Sequence, residues 1–211
     1  MSVHQIKRLH MVCLICLNIQ NKVSQIISII DFYTSSATFS DEELINMIRY
    51  AKSKSIRVAL KPTVNCKNGV WRAYISFFEK DVPCEPKWEN WFASYTEFQT
   101  HYAKIAEAEQ CDLFIAGCEM VMTEHRSEEW RNVIAAIRNY YHGPVSYNTD
   151  KYQEENVTWW DCVDMISSSG YYPIDQWEQE LDRIERVVQK FKKPFFFAIT
   201  LHVQKRFLTG A

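Results

Sequence analysis

The sequence predicts an α/β domain of the (β/α)8-barrel type, in which six strands can be identified. Short apolar segments that suit buried strands alternate with amphipathic segments that suit helices along the 211 residues. Such alternation favours parallel strands, because each helix returns the chain to the same end of the sheet. Polar and aromatic residues follow most of the predicted strands, and this favours a barrel, whose active site lies at the carboxyl ends of its strands. These residues are Asn18, Lys61, Glu119, Tyr147, Asn148, Tyr171 and Tyr172.

A doubly wound parallel sheet is the alternative architecture. Its nucleotide-binding forms carry G-x-G-x-x-G after the first strand or G-x-x-x-x-G-K-[ST] before a helix. Neither motif occurs in the sequence, so a nucleotide-binding module loses its main support. No segment rich in Pro, Gly or Ser divides the chain, and we therefore expect residues 1–211 to form a single domain.

The first predicted unit is a strand, a helix and a second strand. The apolar segment Met11–Ile19 predicts the first strand. Ser40 and Glu43 have the spacing of a capping box, which predicts a helix that continues to about Ser53. The β-branched segment Ile56–Val64 predicts the second strand. We expect this strand to end at its proline, because proline cannot donate a hydrogen bond to a neighbouring strand.

A long loop and a long helix follow. Asn65–Pro86 lacks a regular pattern, and its aromatic residues argue against disorder, so we expect a functional loop. In the predicted helix Trp88–Glu109, large apolar residues recur at helical spacing, which favours packing against the sheet. The remaining predicted elements are a strand at Cys111–Glu119, a helix from Ser127 to Gly143, strands at Pro144–Asn148 and Cys162–Ser168, a helix at Gln176–Phe191 and a strand at Pro194–Thr200.

Glu119 is the first candidate for a catalytic group. It ends the apolar segment CDLFIAGCE, and a carboxylate at the exit of a buried barrel strand lies where the active sites of barrels are built. Two structural roles remain open from position alone. Glu119 could cap the following segment, or it could pair with Arg126 or Arg131.

Composition narrows the class of protein. The formal charge is -2 and no basic cluster occurs, so we expect no nucleic-acid partner. The apolar part of Met11–Ile19 is too short to span a bilayer and lacks a cleavage site for a signal peptide, so we expect no membrane partner.

The seven cysteines are an odd number, and most lie within apolar segments. This pattern favours free thiols in a reducing compartment, and we expect a cytoplasmic location. Cys13 and Cys16 form a C-x-x-C motif, but residues three apart in a strand point to opposite faces. We therefore expect no metal site and no cofactor.

A series of motifs resembles one enzyme family. The motifs are LKPTVN at 60–65, GVWRAYI at 69–75, WENWFASY at 88–95, FIAGCEM at 114–120, EEWRNVIAAIR at 128–138, GPVSYN at 143–148 and the block from Trp159 to Pro173. In this order they resemble glycoside hydrolase family 113, a family of (β/α)8-barrel β-mannanases. The resemblance implies a retaining glycosidase that acts on β-1,4-linked mannose, with two carboxyls about 5 Å apart and Glu119 as the acid and base. It also implies sugar contacts by Lys61, Asn65, Trp71, Trp91, Tyr147, Asn148, Tyr171 and Tyr172, although each aromatic ring also suits a packed core.

The ends of the chain depart from the family pattern. By the resemblance Met11–Ile19 is the second barrel strand and Pro194–Thr200 the seventh, so we expect strands one and eight to be lacking, and the open sheet edges to favour self-association. The nucleophilic glutamate expected at the exit of strand seven falls at Ile199, and no acidic residue follows Glu185. The sequence after Ala198 suggests a truncation or a shifted reading frame. The alternative to an active mannanase is therefore an inactive remnant or a carbohydrate-binding pseudoenzyme.

Overall fold

The computed structural model describes the fold at residues 12–18, 40–66, 69–80, 82–83 and 85–200, with side chains described except at 12–18, 199 and 200. One parallel sheet contains all the strands of these residues. The strands are β1 (Val12–Asn18), β2 (Arg57–Thr63), β3 (Leu113–Cys118), β4 (Val145–Thr149), β5 (Met165–Gly170) and β6 (Phe195–Thr200). The helices are α1 (Asp41–Ser53), α2 (Trp88–Ala108), α3 (Ser127–Arg138) and α4 (Trp177–Phe191).

The order of the strands identifies the architecture. The six strands lie in the sheet in their order along the chain, from β1 to β6. A doubly wound sheet reverses its strand order at a switch point, whereas a barrel adds each new strand beside the previous one. The prediction of an incomplete (β/α)8-barrel fold is therefore confirmed.

The four predicted helices are present, but one connection between consecutive strands contains no α-helix. At α1 the Glu43 backbone N–H donates to Ser40 Oγ across 3.2 Å and the Ser40 N–H donates to Glu43 Oε2 across 2.7 Å, which confirms the capping box. The apolar stripe of α2 is buried, as expected. Between β4 and β5, however, the structure has only a short 3-10 helix at Trp160–Cys162 instead of an α-helix. The polar segment before it lacks the apolar repeat that a packed helix needs.

The expectation that the proline ends the second strand is wrong. Pro62 lies within β2 and is the register partner of Leu17 in β1. On the other side, β2 pairs with β3 only at Ala59 and Leu60. A donor at position 62 is therefore not needed on the β3 side, and proline is tolerated.

The two faces of the sheet differ in chemistry. One face packs against the helices through a large apolar and aromatic core, which includes Leu60, Tyr147 and Trp130. The opposite face, called the inner face below, has a small apolar cluster formed by strand residues such as Ala59 and Ile115. Towards the carboxyl ends of the strands this inner face becomes polar, and its buried side chains are Lys61, Ser146, Asn148, Ser167 and Ser169. Buried polar groups need partners, and this concentration of them locates the candidate site.

Three expectations concern features other than the fold. Within the described ranges, no helix is long and apolar enough to cross a membrane. In the same part of the chain, no group of three or more His, Cys, Asp or Glu side chains could hold a metal ion. The side chains of Cys13 and Cys16 lie outside the described residues. Self-association through the sheet edges stays a prediction.

Candidate active site

Glu119 follows β3 directly and is 6% exposed. Its backbone has a φ of 53°, in the left-handed region, and its N–H donates to the Asn148 carbonyl across 2.7 Å. The β3–β4 register shifts between Ile115 and Cys118, immediately before this residue. A non-glycine residue with positive φ is uncommon and costs about 1–3 kcal/mol, so the surrounding contacts hold Glu119 in this conformation.

The carboxylate of Glu119 reaches across the inner face. Ser169 Oγ on β5 donates to Glu119 Oε1 across 2.6 Å, although β4 lies between β3 and β5 in the sheet. Asn148 Nδ2 on β4 in turn donates to Ser169 Oγ across 3.0 Å. The three side chains form a hydrogen-bond relay over three neighbouring strands. This relay fixes the carboxylate at the carboxyl-terminal edge of the sheet.

Arg72 holds the other oxygen of Glu119. Its Nη2 lies 3.3 Å from Glu119 Oε2, its Nε donates to the Cys118 carbonyl across 2.9 Å, and its Nη1 donates to Asn65 Oδ1 across 2.5 Å. The long loop after β2 carries Arg72 in a short 3-10 helix. The loop thus brings a cation to the strand exit, and a functional role for it stays a prediction.

Neither structural role considered for Glu119 applies. Arg126 pairs with Glu79 and Glu129, and Arg131 pairs with Asp161. The short 3-10 helix that follows Glu119 has Met120 at its N-cap and no side-chain cap. Glu119 pairs instead with Arg72, 47 residues earlier in the chain.

A buried cysteine lies at the centre of the polar cluster. Lys61 Nζ lies 3.5 Å from Cys118 Sγ, Arg72 Nη2 lies 3.7 Å from it and Asn148 Nδ2 lies 3.9 Å from it. Burial raises the pKa of the Cys118 thiol, and the charges of Lys61 and Arg72 oppose that increase. Lys61 is 1% exposed. Two cations thus lie beside Cys118 at the exits of β2 and β3, and one of them, Arg72, contacts the Glu119 carboxylate.

Four other predicted residues lie in loops or at strand ends, and two of them belong to the cluster around Glu119. Asn65 and Asn148 belong to the cluster around Glu119 through the contacts described above. Trp71 lies beside Arg72 in sequence and is 40% exposed, with its ring 5.8 Å from that of Tyr74 in an edge-to-face contact. Tyr171 is half-buried after β5 and accepts a hydrogen bond from Lys151 at its carbonyl.

Two predicted aromatic residues lie in the packed core. Trp91 is 2% exposed and stacks on Tyr95 with 4.9 Å between ring centroids. Tyr147 is fully buried against Trp130, and its hydroxyl donates to Glu124. Both rings lie in the core on the helix-covered face, so the structure gives them no contact with the cluster around Glu119. The core interpretation, which the sequence left open, describes their packing.

Tyr172 belongs to a second buried cluster, around Glu154. Tyr172 and Ser168 donate to Glu154 Oε1, and Arg183 Nη2 lies 2.8 Å from its Oε2. Ser168 points to the opposite face of β5 from Ser169, because successive strand residues alternate. The Glu154 cluster therefore ties α4 and the segment after β4 to the back of the sheet.

Two of the other carboxylates near β4, Glu124 and Asp164, are tied to structural partners, whereas the third, Asp150, interacts with Glu119. Burial raises the pKa of Glu124 to about 8, and its Oε1 accepts hydrogen bonds from Tyr147 and Thr149. Asp164 accepts from the Val145 N–H at the start of β4 and pairs with Arg138, at the end of the sheet opposite to Glu119. Asp150 directly follows β4, and burial raises its pKa, with the charge of Glu119 adding to that effect.

The strand register identifies the residue of β6 that pairs with Ser169. Ser169, whose hydroxyl contacts the Glu119 carboxylate, has Ile199 as its register partner. The register shifts between Ser168 and Ser169, so β6 has an extra residue just before this pair. The register partner of Ser169 on β6 is therefore an isoleucine.

Sequence inspection missed Arg72 and Ser169 as site residues. Arg72 stands in the motif GVWRAYI, next to the predicted Trp71, and an arginine in a functional loop was the available signal. Ser169 lies in a run of three serines at the end of β5, where no sequence feature separates it from its neighbours. Alternation of faces excludes Ser168 but not Ser167, so only the contact with Glu119 in the folded structure selects Ser169.

Comparisons with known proteins agree on one family. The model of glycoside hydrolase family 113 matches residues 1–200. A solved GH113 β-1,4-mannanase is 57% identical, with a TM-score of 0.76 over 78% of this chain and 53% of the mannanase. The GH113 β-mannanase AaManA from Alicyclobacillus acidocaldarius, solved in complex with ManMIm, is 42% identical, with a TM-score of 0.74 over the same shares. The chain thus spans about half the length of these mannanases.

More distant structures share the fold alone. A β-D-glucuronidase from Dictyoglomus thermophilum is 15% identical, with a TM-score of 0.55 over 72% of this chain and 28% of the glucuronidase. No curated protein matches the sequence.

Proposed function

Because the chain belongs to glycoside hydrolase family 113, we propose that its strand-exit cluster is a β-mannanase-type site that hydrolyses β-1,4-linked mannose chains with Glu119 as acid and base. One observation carries the proposal. The Glu119 carboxylate lies buried at the carboxyl-terminal edge of a parallel sheet, held at one oxygen by Arg72 and at the other by Ser169. Catalysis needs a carboxylate at that edge with a fixed direction.

The chemistry follows from the position of such a group. In a retaining glycosidase one carboxyl protonates the oxygen of the leaving sugar, and a second carboxyl attacks the anomeric carbon. Water then hydrolyses the glycosyl-enzyme, with the first carboxylate as base. Glu119 would take the first of these roles, and its two protein contacts would keep the carboxylate aimed at the glycosidic oxygen.

Sugar recognition would come from the residues around Glu119. Lys61, Asn65 and Asn148 bring donors and acceptors for hydroxyl groups to the same edge of the sheet. Trp71 has the exposed ring that stacking on a sugar face requires. Tyr171 and Tyr172, which follow β5, would contact the sugar farther from Glu119. The Tyr172 hydroxyl donates to Glu154.

A second candidate function is binding of the same sugars without turnover. The observation that favours it is Ile199, the register partner of Ser169, because an aliphatic side chain cannot attack the anomeric carbon. The protein would then be a carbohydrate-binding relative of the mannanases.

One experiment separates the two candidates. Titration calorimetry with β-1,4-mannohexaose measures binding, and chromatography of the same mixture measures shorter products. Hydrolysis that is lost in Glu119→Gln supports the mannanase assignment. Binding without products supports the second candidate, whereas the absence of both removes the mannan assignment altogether.

A further inference from the structure

The backbone that follows Glu119 is held by a side chain from the core. Tyr147 on β4 packs its ring against Trp130 on the helix-covered face, and its hydroxyl accepts a hydrogen bond from the Met120 N–H across 3.0 Å. The preceding N–H, that of Glu119, donates to the Asn148 carbonyl across 2.7 Å. Two consecutive amide groups at the exit of β3 are therefore bound to neighbouring residues of β4.

These two hydrogen bonds act where the backbone is unusual. Glu119 has a φ of 53°, which a non-glycine residue keeps only where the surrounding contacts hold it. This turn directs the Glu119 carboxylate to Ser169 and Arg72. The Met120 amide is the first group beyond the turn. Loss of its bond to Tyr147 would therefore release the backbone beside the carboxylate.

Glu124 fixes the direction of the Tyr147 hydroxyl. This hydroxyl donates its only proton to Glu124 Oε1 across 2.7 Å, which leaves its oxygen lone pairs to accept from Met120. Thr149 Oγ1 donates to the same Glu124 oxygen across 2.8 Å. Glu124 is 2% exposed, and its backbone carbonyl accepts from Trp159 Nε1 across 2.9 Å. Glu124 is therefore fixed through both its backbone and its side chain.

The charge state of Glu124 suits this holding role. Burial raises its pKa to about 8, the charges of Asp150 and Glu154 add to the increase, and the hydrogen bonds from Tyr147 and Thr149 oppose it. Glu124 Oε2 is buried and has no hydrogen-bond partner among the described residues. The carboxyl is therefore mostly neutral below about pH 8, and its Oε1 is an acceptor that an amide oxygen can replace.

We propose that Glu124 is a positioning residue for Glu119, acting through the Tyr147 hydroxyl and the Met120 amide. Glu124 does not touch the sugar in this assignment, and it holds the turn that aims the Glu119 carboxylate. The inference rests on the proposed function, because Glu119 is the acid and base whose direction Glu124 sets. A misplacement of about 1 Å costs about 10²-fold in rate, so we expect the effect in kcat and not in KM.

Hydrolysis of mannohexaose at about pH 6.5 is the first measurement. Tyr147→Phe removes the hydroxyl and Glu124→Met removes its acceptor, and each should lower kcat by about 10²-fold with KM unchanged. The double variant should be no slower than either single variant, since both changes break one chain of hydrogen bonds. Glu124→Gln keeps an acceptor oxygen and should retain the wild-type kcat. Thr149→Val removes the other donor to Glu124 without breaking this chain, and it is the matched control.

NMR gives a second measurement that does not require hydrolysis. The carboxyl ¹³C resonance of Glu119, assigned by its absence in Glu119→Gln, should move in Tyr147→Phe and in Glu124→Met. It should stay in place in Glu124→Gln and in Thr149→Val. In the unmodified protein the Met120 amide proton should exchange slowly with solvent. Exchange at the rate of an unbonded amide would overturn the assignment without the need for any variant.

The outcomes separate this inference from the proposed function. Wild-type hydrolysis with an equal kcat in Tyr147→Phe, or with equal losses in Thr149→Val and Glu124→Met, overturns the positioning role and leaves the mannanase assignment intact. A moved Glu119 resonance in a protein that neither binds nor hydrolyses mannohexaose removes the mannan assignment and supports the positioning role. A resonance that stays in place in both Tyr147→Phe and Glu124→Met overturns the positioning role whether or not the sugar is hydrolysed.

Discussion

The Ser169 hydroxyl lies 2.6 Å from Glu119 Oε1, although the two residues belong to strand ends separated by β4 and by 50 positions in the chain. This contact directs the carboxylate over the inner face. With the Arg72 ion pair on the other oxygen, it leaves Glu119 little rotational freedom. The relay from Asn148 therefore determines where the candidate acid and base points.

Ser169→Ala should lower the free energy of unfolding more than Ser167→Ala does. A hydrogen bond to a charged group contributes about 1.5–3 kcal/mol, whereas a neutral one contributes about 0.5–1.5 kcal/mol. Ser167 is the control, because it lies on the same face of β5 and donates to the Tyr147 carbonyl across 2.9 Å. Urea denaturation at pH 7 measures both variants. A larger loss in Ser167→Ala than in Ser169→Ala would contradict the relay.

Arg72→Lys should impair the site despite conserving charge. The guanidinium contacts three partners at once, Asn65, the Cys118 carbonyl and Glu119, and an ammonium cannot reproduce that fork. We expect the affinity for mannohexaose to fall at least tenfold, which corresponds to about 1.4 kcal/mol. Calorimetry provides the measurement, and unchanged affinity would exclude Arg72 from the site. Arg131→Lys, which alters a surface pair with Asp161, is the control.

Trp71 and Trp91 should respond in opposite ways to alanine substitution. Trp71 is 40% exposed, so Trp71→Ala should lower sugar affinity by up to about tenfold, the value of an aromatic contact, without changing stability. Trp91 is 2% exposed, so Trp91→Ala should cost about 3–5 kcal/mol of folding free energy. Thermal melts and calorimetry on both variants measure the contrast. Destabilisation by Trp71→Ala would place that ring in the core.

Ile199→Glu should increase hydrolysis. Position 199 is the backbone register partner of Ser169, whose hydroxyl contacts Glu119, and a retaining pair requires a second carboxyl about 5 Å from the first. Thr200→Glu, one position further along β6, is the control. Release of mannose from mannohexaose is the measurement. Equal activity in the two variants, or activity that survives Glu119→Gln, would refute the assignment of position 199.

Glu124 should make folding stability depend on pH. Burial raises its pKa from 4.5 to about 8, so the folded state binds the more protons between these values. The free energy of unfolding is therefore highest below about pH 4.5, falls as the pH rises and stops falling above about pH 8. Glu124→Gln, which keeps the shape and removes the titration, should flatten that decline.

The control for Glu124 is Glu128→Gln, at an exposed position on α3, which should keep the wild-type profile. Urea midpoints at pH 5, 6.5 and 8 give the comparison. An equal pH dependence in wild type and Glu124→Gln would show that Glu124 does not titrate in this range.

Local patterns in the sequence were sufficient to predict the strands and helices, and the position of Glu119 at the end of a strand. The capping box of Ser40 and Glu43, the aromatic stripe of α2 and the apolar segment before Glu119 each depend on neighbours within a few residues. Short-range spacing determines which face of an element is buried. It also determines which residue stands at the end of a strand.

The sequence by itself therefore determined the order of strands and helices, the family and the location of Glu119 at a strand exit. Only the tertiary structure decided that Glu119 pairs with Arg72 and Ser169 instead of Arg126 or Arg131, and that the ring of Tyr147 packs away from the site. The physical reason is that the deciding contacts join residues 47 and 50 positions apart. Their geometry depends on sheet order, on register shifts at β3 and β6, and on a left-handed backbone at Glu119, none of which a local pattern specifies.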